Sequence, residues 1–277
     1  MLFQIKSYLK FLWYSKNEHA VHSPFVFHLI TKCFYDKESK REYAILKEYR
    51  KSLLENKKTI EVTDFGAGSK VFKSNARQIT KIAKTAGITQ KRAELLFRIT
   101  NYFQPTTILE IGTSLGLATS ALALGNPKAK ITTLEGCPET AKIAKLQLAK
   151  LSSRAQSRDN LKNVECITTE FNDYLQICTR DQRSNWRSNL QSVICNLIYF
   201  DGNHSKKATL EYFELLLPTI CNETLWIFDD IHWSQEMEDA WEIIKKHPKV
   251  TVTIDTFQWG IIFFRHEQPK EHFVIRT

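Results

Sequence analysis

The chain has 277 residues, of which 43% are hydrophobic, 12% aromatic and 25% charged, and this composition excludes a disordered, collagen-like or membrane-embedded protein. The length suits one α/β domain with an extension. The formal net charge of +9 is unevenly distributed, because residues 1–100 carry a net charge of +11 and the remaining 177 residues carry −2. The basic excess therefore belongs to the N-terminal part alone.

The first segment predicts an amphipathic helix, because apolar side chains recur at helical spacing with lysines elsewhere on the helical wheel. The apolar positions are Leu2, Ile5, Leu9, Leu12 and Trp13, and the lysines are Lys6, Lys10 and Lys16. Such a helix can lie on a membrane surface or against the rest of the protein. We favour packing against the protein as a lid, because a short segment with few lysines would bind lipid weakly.

The sequence predicts a cytoplasmic protein. Lys6 and Lys10 interrupt the apolar stretch at the N-terminus, so neither a signal peptide nor a membrane span is predicted. The six cysteines form no C-x-x-C pair, and several lie in or beside strand-like apolar runs. We therefore expect reduced, packed thiols.

The segment HAVHSPFVFH invites two interpretations. His19, His22 and His28 could suggest zinc, but no cysteine or acid completes a standard spacing. Ser23 followed by Pro24 predicts the start of a helix instead. We expect this segment to face the active site as part of a substrate lid.

Lysine-rich helical patterns follow over 38–56 and 74–86, and the glycine-containing loop at 64–69 between them is interpreted as a lid or substrate loop. Residues 1–88 are thus predicted to form a helical, basic lid or substrate region, and residues 89–277 the main domain. The lysines are spread rather than clustered, so a solvated basic face is favoured. A nucleic-acid partner is disfavoured and stays open as an alternative.

From residue 106, short apolar runs alternate with helical patterns, which is typical of a parallel sheet covered by helices. Strands are predicted over 106–111, 130–135, 163–168, 196–201 and 224–230, and helices over about 114–125, 138–152, 205–217 and 234–247. Two further runs, over 250–257 and 261–265, are joined by a Gln258-Trp259-Gly260 turn and predict an antiparallel strand pair. The predicted fold class is therefore α/β.

A glycine-containing loop follows the first of these strands, in the sequence Glu110-Ile111-Gly112-Thr113-Ser114-Leu115-Gly116. Ligands of open α/β folds bind at this edge of the sheet, and the two glycines allow a cofactor to approach the backbone closely. The next strand ends in Glu135, a carboxylate that can accept both hydroxyl hydrogens of a ribose. The third glycine of G-x-G-x-x-G is missing, so an adenosyl cofactor without a pyrophosphate fits better than NAD. Glu110 also suits a cationic ligand.

The stretches LEIGTSLGLAT, TTLEG, LIYFDGNHS and LWIFDDIHWS resemble the class I S-adenosylmethionine-dependent methyltransferases, over residues 106–265. The resemblance implies a Rossmann-like, mostly parallel seven-strand sheet with a C-terminal antiparallel strand pair and a helical N-terminal extension. It implies that Glu110 and the two glycines line the methionine part, that Glu135 holds the ribose, and that Glu170 and Phe171 lie beside the adenine. The implied cofactor-binding residues are Glu110, Gly112, Thr113, Ser114, Gly116, Glu135, Gly136, Glu170, Phe171 and Asp201.

Three further acids follow later strands, with Asp201 at the end of the fourth and Asp229 and Asp230 at the end of the fifth. Close carboxylates repel one another unless a cation or a proton lies between them, and an oxygen-ligated divalent ion would remove this repulsion. The pattern resembles the metal-dependent O-methyltransferases of the catechol and antibiotic-sugar types. That resemblance implies Asp201, Asp229 and Asp230 as ligands of Mg²⁺ or another divalent cation, which would lower the pKa of a substrate hydroxyl.

The sequence also suggests a general base. Sugar-type relatives carry a second acid two residues after the first, whereas this chain has Asn203, which cannot take a proton. His204 can, so Asp201 and His204 are the predicted catalytic residues. His232 is a second candidate, and either histidine could instead have a purely structural role such as capping a helix.

The run Gly112-Thr113-Ser114-Leu115-Gly116 also satisfies G-x-S-x-G, the nucleophile elbow of α/β-hydrolases, with Ser114 as the nucleophile. Such an elbow needs neither Glu110 nor Glu135, and no HGGG-type motif occurs upstream. The sequence therefore predicts an S-adenosylmethionine-dependent enzyme that methylates a hydroxyl oxygen of a small molecule with help from Mg²⁺. A metal-free or nucleic-acid-directed methyltransferase and the hydrolase stay open as alternatives, as does a homodimer.

Overall fold

The computed structural model describes residues 2–63, 74–154, 163–180 and 195–277, apart from the side chains of 152–154 and 177–180. The predicted lid loop at 64–69 and the side chain of Cys178 lie outside the described residues. The chain divides into two compact units: a central unit, Asp36–Phe171, and a terminal unit, which combines Met1–Tyr35 with Asn172–Thr277. The predicted boundary near residue 88 falls inside the central unit and stays a prediction.

Helices predominate up to residue 106, and beyond it strands alternate with helices until the last three strands. In chain order, the helices are α1 (Leu2–Tyr14), α2 (Pro24–Leu29), α3 (Arg41–Leu54), α4 (Ile79–Thr85), α5 (Gln90–Phe103), α6 (Leu117–Gly125), α7 (Pro138–Arg154), α8 (Phe171–Arg180), α9 (Lys206–Leu216) and α10 (Gln235–Lys246). The strands are β1 (Thr59–Glu61), β2 (Ala76–Gln78), β3 (Thr107–Ile111), β4 (Lys130–Glu135), β5 (Val164–Thr168), β6 (Leu197–Phe200), β7 (Leu225–Asp229), β8 (Val252–Asp255), β9 (Trp259–Phe263) and β10 (Glu271–Val274). Shorter helical turns lie at Glu18–Ala20, Ile30–Phe34 and Leu217–Thr219.

In the central unit, β3, β4 and β5 are parallel neighbours, and their register pairs Glu110 with Thr133. Helix α6 is buried along its whole length. It packs against α5, where a Cβ on Gly125 would lie only 2.6 Å from the Cβ of Thr100, so the glycine permits the close approach. The β1–β2 hairpin and α5 belong to this unit and were not predicted.

In the terminal unit, the strand order is β6-β7-β9-β8-β10. Strand β9 is antiparallel to β7 and to β8, whereas β6 pairs with β7, and β10 with β8, in parallel. Trp226, Trp241 and Trp259 fill the core of this unit and are each at most 1% exposed. The predicted antiparallel pair is confirmed as β8 and β9, but Trp259 and Gly260, which were predicted in the turn, are the first two residues of β9. Strand β10 was not predicted.

The predicted α/β class, with mostly parallel strands, an antiparallel pair and a helical N-terminal region, is confirmed. All five parallel strands predicted after residue 106 are present, and the four predicted helices end within three residues of their expected limits. The strands were recognisable because buried parallel strands have almost continuously apolar sequences.

Helix α1 is attached to the terminal unit by a different face from the predicted one. Its buried residues are Ser7 and Phe11. The ring of Phe11 lies 5.5 Å from that of Phe257, and the ring of Tyr8 lies 4.8 Å from it, measured between centroids. The prediction that the Leu2, Ile5, Leu9, Leu12 and Trp13 stripe packs against the protein is wrong, since Trp13 is 85% exposed and Leu2 is 78% exposed.

The predicted start of α2 is confirmed. The Ser23 hydroxyl accepts a hydrogen bond from the Val26 amide at 3.4 Å, and Pro24 is the first helical residue. The Ser23 hydroxyl also lies 3.3 Å from Oε1 of Gln268, and the Phe25 ring contacts Phe263 at 5.0 Å, so this segment packs within the terminal unit. Its role as a substrate lid stays a prediction.

No helix in the described part of the chain is long and apolar enough to cross a membrane. The cysteines whose side chains are described are free thiols, at Cys33, Cys137, Cys166, Cys195 and Cys221. The cytoplasmic location stays a prediction.

Candidate active site

The loop between β3 and α6 is bent by residues with left-handed backbones. The φ angles are 104° at Gly112, 48° at Ser114 and 79° at Gly116. A Cβ on Gly116 would lie 2.5 Å from the hydroxyl oxygen of Tyr49, and that hydroxyl donates a hydrogen bond to the carbonyl of Leu115 at 2.8 Å. Backbone conformation and lack of space therefore both favour glycine at position 116.

Glu110 lies at the end of β3, directly before this loop, and is fully buried. Its Oε2 accepts hydrogen bonds from the hydroxyls of Thr119 and Thr133, the latter at 2.6 Å. Its Oε1 is buried and has no hydrogen-bond partner among the described residues. Burial raises the pKa of Glu110 to about 7, although the two threonine hydroxyls act in the opposite direction. A buried carboxyl group with one unsatisfied oxygen suits a cationic ligand.

The two threonines were not identified by sequence analysis. Thr133 occupies the position on β4 that pairs with Glu110, and its hydroxyl also contacts the hydroxyl of Thr113. Thr119 reaches Glu110 from the first turn of α6. A threonine within a buried strand could have drawn attention to Thr133. Its contact with Glu110 could not be predicted, because it depends on the strand register.

Glu135, at the end of β4, accepts hydrogen bonds from the backbone of the β3–α6 loop and from the residues that follow β4. Its Oε2 accepts a hydrogen bond from the Ser114 amide at 2.7 Å, and its Oε1 accepts one from the Cys137 amide at 2.9 Å. The predicted residues Ser114 and Glu135 are thus in direct contact.

The residues predicted to lie beside an adenine follow β5. The Thr169 amide donates a hydrogen bond to the carbonyl of Glu135 at 3.0 Å, which brings the ends of β4 and β5 together. Glu170 comes next and is exposed, and Phe171 is half-buried as the first residue of α8. Gly136, also half-buried, follows Glu135 directly. The assignment of these residues to an adenine stays a prediction.

In the terminal unit, Asp201 follows β6 and lies close to His204. His204 Nε2 is 3.7 Å from Asp201 Oδ1, and the two side chains are 27% and 14% exposed. The backbone between them turns at Asn203, which has a φ of 52°. Helix α9 is capped by Ser205, whose hydroxyl accepts a hydrogen bond from the Ala208 amide. His204 therefore does not serve as the helix cap.

The acids after β7 are held by groups of the protein itself. Asp229 is 3% exposed and accepts hydrogen bonds from the Tyr199 hydroxyl at 3.1 Å and from the Asp230 amide at 2.8 Å. Asp230 has a left-handed backbone, with a φ of 56°.

No group of three His, Cys, Asp or Glu side chains in the described part of the chain is arranged to hold a metal ion. The assignment of Asp201, Asp229 and Asp230 to a Mg²⁺ site stays a prediction.

His232, the second candidate base, is enclosed by acids. Its Nε2 lies 2.9 Å from Asp255 Oδ2 and its Nδ1 lies 3.2 Å from Glu238 Oε2. Its ring stacks on Phe257, with centroids 5.3 Å apart. Burial lowers the pKa of His232, but the hydrogen bonds and charges of the two carboxylates more than offset this, and the net pKa is raised above 6.5. Both ring nitrogens of His232 thus contact carboxylates, and its role as a base stays a prediction.

Comparison with known proteins identifies this arrangement. Residues 109–231 match the model of a family described as a methyltransferase domain. The matched range includes the β3–α6 loop with Ser114, as well as Glu135, Asp201 and Asp230. No curated protein sequence matches the chain.

Solved structures show the same fold at low sequence identity. The O-methyltransferase from Bacillus cereus in complex with SAH is 18% identical, with a TM-score of 0.51 and coverage of 83% of this chain and 92% of that chain. The O-methyltransferase TomG from Streptomyces achromogenes in complex with SAM is 14% identical, with a TM-score of 0.53 and coverage of 82% and 91%. The SAH-bound methyltransferase PaMTH1 from Podospora anserina is 13% identical, with a TM-score of 0.52 and coverage of 88% and 97%.

The domain match and the shared fold agree with the geometry of the loop around Glu110. Residues 109–231 therefore match a methyltransferase domain, and the chain has the α/β fold of the solved O-methyltransferases.

Proposed function

We propose that this protein uses S-adenosylmethionine to methylate a hydroxyl oxygen of a small molecule. The observation that supports the cofactor most directly is the buried carboxyl group of Glu110, whose Oε1 has no partner among the described residues. An unpaired buried carboxylate is unfavourable, and a positively charged ligand would remove that penalty. S-adenosylmethionine supplies an electrophilic methyl group carried on a cationic sulfonium.

The residues of the β3–α6 loop and of the β4 end receive distinct roles. Glu110 binds the cationic methionine part, and Gly112 and Gly116 let the ligand approach the backbone. Glu135 accepts the ribose hydroxyls while it keeps the Ser114 amide in place. The remaining proposed contacts are Thr113, Gly136, Glu170, Phe171 and Asp201.

We assign proton removal from the acceptor hydroxyl to His204. A neutral imidazole accepts the proton, and the Asp201 carboxylate, 3.7 Å away, stabilises the imidazolium that results. The partial exposure of His204 leaves it accessible to an acceptor molecule. Because His204 acts on a proton, His204→Gln should lower kcat about a hundredfold, while the Kd for S-adenosylhomocysteine stays the same. A variant with unchanged kcat would exclude this role.

The cofactor assignment is tested by calorimetry with S-adenosylhomocysteine on the full chain. We expect Glu110→Gln and Glu135→Ala each to weaken binding about tenfold to a hundredfold, because each removes a charge-assisted contact. Glu139→Ala, an exposed acid in the first turn of α7, is the matched control and should bind as the wild type does. Failure of the folded wild-type protein to bind S-adenosylhomocysteine would overturn the proposal.

Metal dependence is tested separately from cofactor binding. The carboxylates of Glu110 and Glu135 are held by protein hydroxyls and amides, so we expect a chelator to leave the affinity for S-adenosylhomocysteine unchanged. The Mg²⁺ inferred from the sequence would act on the methyl-transfer reaction and not on cofactor binding. Loss of turnover on chelation, recovery with Mg²⁺ and loss of that recovery in Asp230→Ala would together establish it.

A further inference from the structure

Helix α1 exposes a stripe of large apolar side chains, which we call the outer stripe and which is formed by Leu2, Ile5, Leu9 and Trp13. Their exposed fractions are 78%, 52%, 61% and 85%. The spacing of three or four residues places them on one side of the helix. This side is opposite to the one that buries Ser7 and Phe11, so α1 is apolar on two faces.

The outer stripe is held facing away from the terminal unit. The Ser7 hydroxyl donates a hydrogen bond to Glu238 Oε2 at 2.9 Å. On the same side of the helix, Tyr8 and Phe11 pack on Phe257. These contacts fix the rotation of α1 about its axis. The helix is therefore already folded and oriented, and a surface that binds the stripe would not have to order it.

The charged side chains of the N-terminal segment itself are all lysines. The first 17 residues contain no aspartate or glutamate, and their three lysines are Lys6, Lys10 and Lys16. Lys6 and Lys10 lie along one flank of the stripe, and Lys10 is 63% exposed although it pairs with Glu238 at 3.4 Å. An apolar strip with flanking lysines and a tryptophan at one end matches the interface of an anionic bilayer.

We propose that α1 binds an anionic lipid surface, with the outer stripe inserted at the headgroup boundary and the lysines paired with lipid phosphates. This interaction goes beyond the proposed methyl transfer. A second copy of the chain is a poorer occupant, because pairing two outer stripes would bring their flanking lysines together. Binding through one short helix is reversible and sensitive to salt.

The test is flotation of the full chain with vesicles of phosphatidylcholine alone or mixed with an equal part of phosphatidylglycerol. We expect flotation with the mixed vesicles, weaker binding in high salt, and about a tenfold lower partition coefficient for Leu9→Ser/Trp13→Ser. The matched control is Leu146→Ser/Ile243→Ser, which removes apolar side chains that are 54% and 46% exposed on α7 and α10, and it should float as the wild type does.

The same variants distinguish the alternatives. Absence of flotation by the folded wild type, or equal flotation of the wild type and Leu9→Ser/Trp13→Ser, would overturn the proposal. A dimer that forms without lipid and is lost in Leu9→Ser/Trp13→Ser would assign the outer stripe to a second copy instead. All four substituted side chains are exposed, so unchanged thermal unfolding will confirm that the variants are folded.

Discussion

Glu110 has opposite effects on ligand binding and on the stability of the free protein. In the proposed function its carboxylate binds a cation, yet in the free protein it is buried with one oxygen lacking a hydrogen-bond partner among the described residues. Functional sites commonly retain such unfavourable groups, because the ligand supplies the missing partner.

This conflict predicts a pH-dependent change in stability. The pKa of Glu110 is about 7 in the folded protein against an ordinary 4.5, so the folded state binds more protons than the unfolded state between these pH values. Its contribution to the free energy of unfolding therefore falls as the pH rises through this interval, by up to about 3 kcal/mol. We expect urea unfolding to show that the free energy of unfolding of Glu110→Gln, relative to that of the wild type, increases by about 1–3 kcal/mol from about pH 5 to about pH 8. A difference independent of pH would show that Glu110 does not titrate there.

Gly116 supports a second prediction at this scale. Gly116→Ala should lower the free energy of unfolding by about 1–3 kcal/mol, because an alanine would have an unfavourable positive φ and would clash with the Tyr49 hydroxyl. Adding Tyr49→Phe removes the clashing oxygen but not the φ penalty. In a double-mutant cycle measured by urea unfolding, Gly116→Ala should therefore be less destabilising in the Tyr49→Phe background. Equal costs in both backgrounds would exclude the clash.

At the scale of elements, His232 links α1 to the strands and helices of the terminal unit. It bridges Asp255 at the end of β8 and Glu238 on α10, and Glu238 also binds Ser7 and Lys10 of α1. A protonated His232 donates a hydrogen bond to each of these two carboxylates and offsets one of their two negative charges.

The raised pKa of His232 sets the direction of the pH effect on α1. Because the folded pKa lies above the unfolded one, the stabilisation is fully present below about pH 6.5 and is lost as the pH rises through the folded pKa. We expect amide hydrogen exchange in α1, corrected for the intrinsic rate, to be slower at about pH 6 than at a pH above the folded pKa of His232. His232→Gln should exchange quickly at both pH values. Protection that is the same at both pH values in the wild type would contradict this.

The extent to which the elements could be predicted follows from their sequence patterns. The buried parallel strands have continuous apolar runs, so their positions could be predicted. The β3–α6 loop combines glycines with an acid, so the positions of Glu110 and Glu135 beside this loop could be predicted as well. Thr133 could not, because its contact with Glu110 depends on strand register. The orientation of α1 could not be predicted either, since Phe11 and the outer stripe are both apolar and only tertiary packing selects between them.

At the scale of the whole molecule, the main contacts proposed for the two ligands belong to different units, although the proposed cofactor contact Asp201 belongs to the terminal unit. The cofactor residues Glu110 and Glu135 belong to the central unit, and the outer stripe of α1 belongs to the terminal unit. The basic excess of residues 1–100 is thus divided between the two units, and only the lysines of the first 17 residues belong to the segment that carries the outer stripe. The net charge of the chain alone therefore does not show which unit carries the basic residues.

This division predicts two separate patterns of protection in hydrogen exchange. S-adenosylhomocysteine should slow exchange in the β3–α6 loop and around Glu135, because bound ligand stabilises the conformations that hold it, by about 2.7 kcal/mol at a hundredfold excess over Kd. Vesicles containing phosphatidylglycerol should slow exchange in α1 and leave the loop unchanged. Leu9→Ser/Trp13→Ser should remove only the second pattern, and Glu135→Ala only the first. If either ligand also protected the other region, the two sites would be thermodynamically coupled, and by linkage each ligand would then change the affinity for the other.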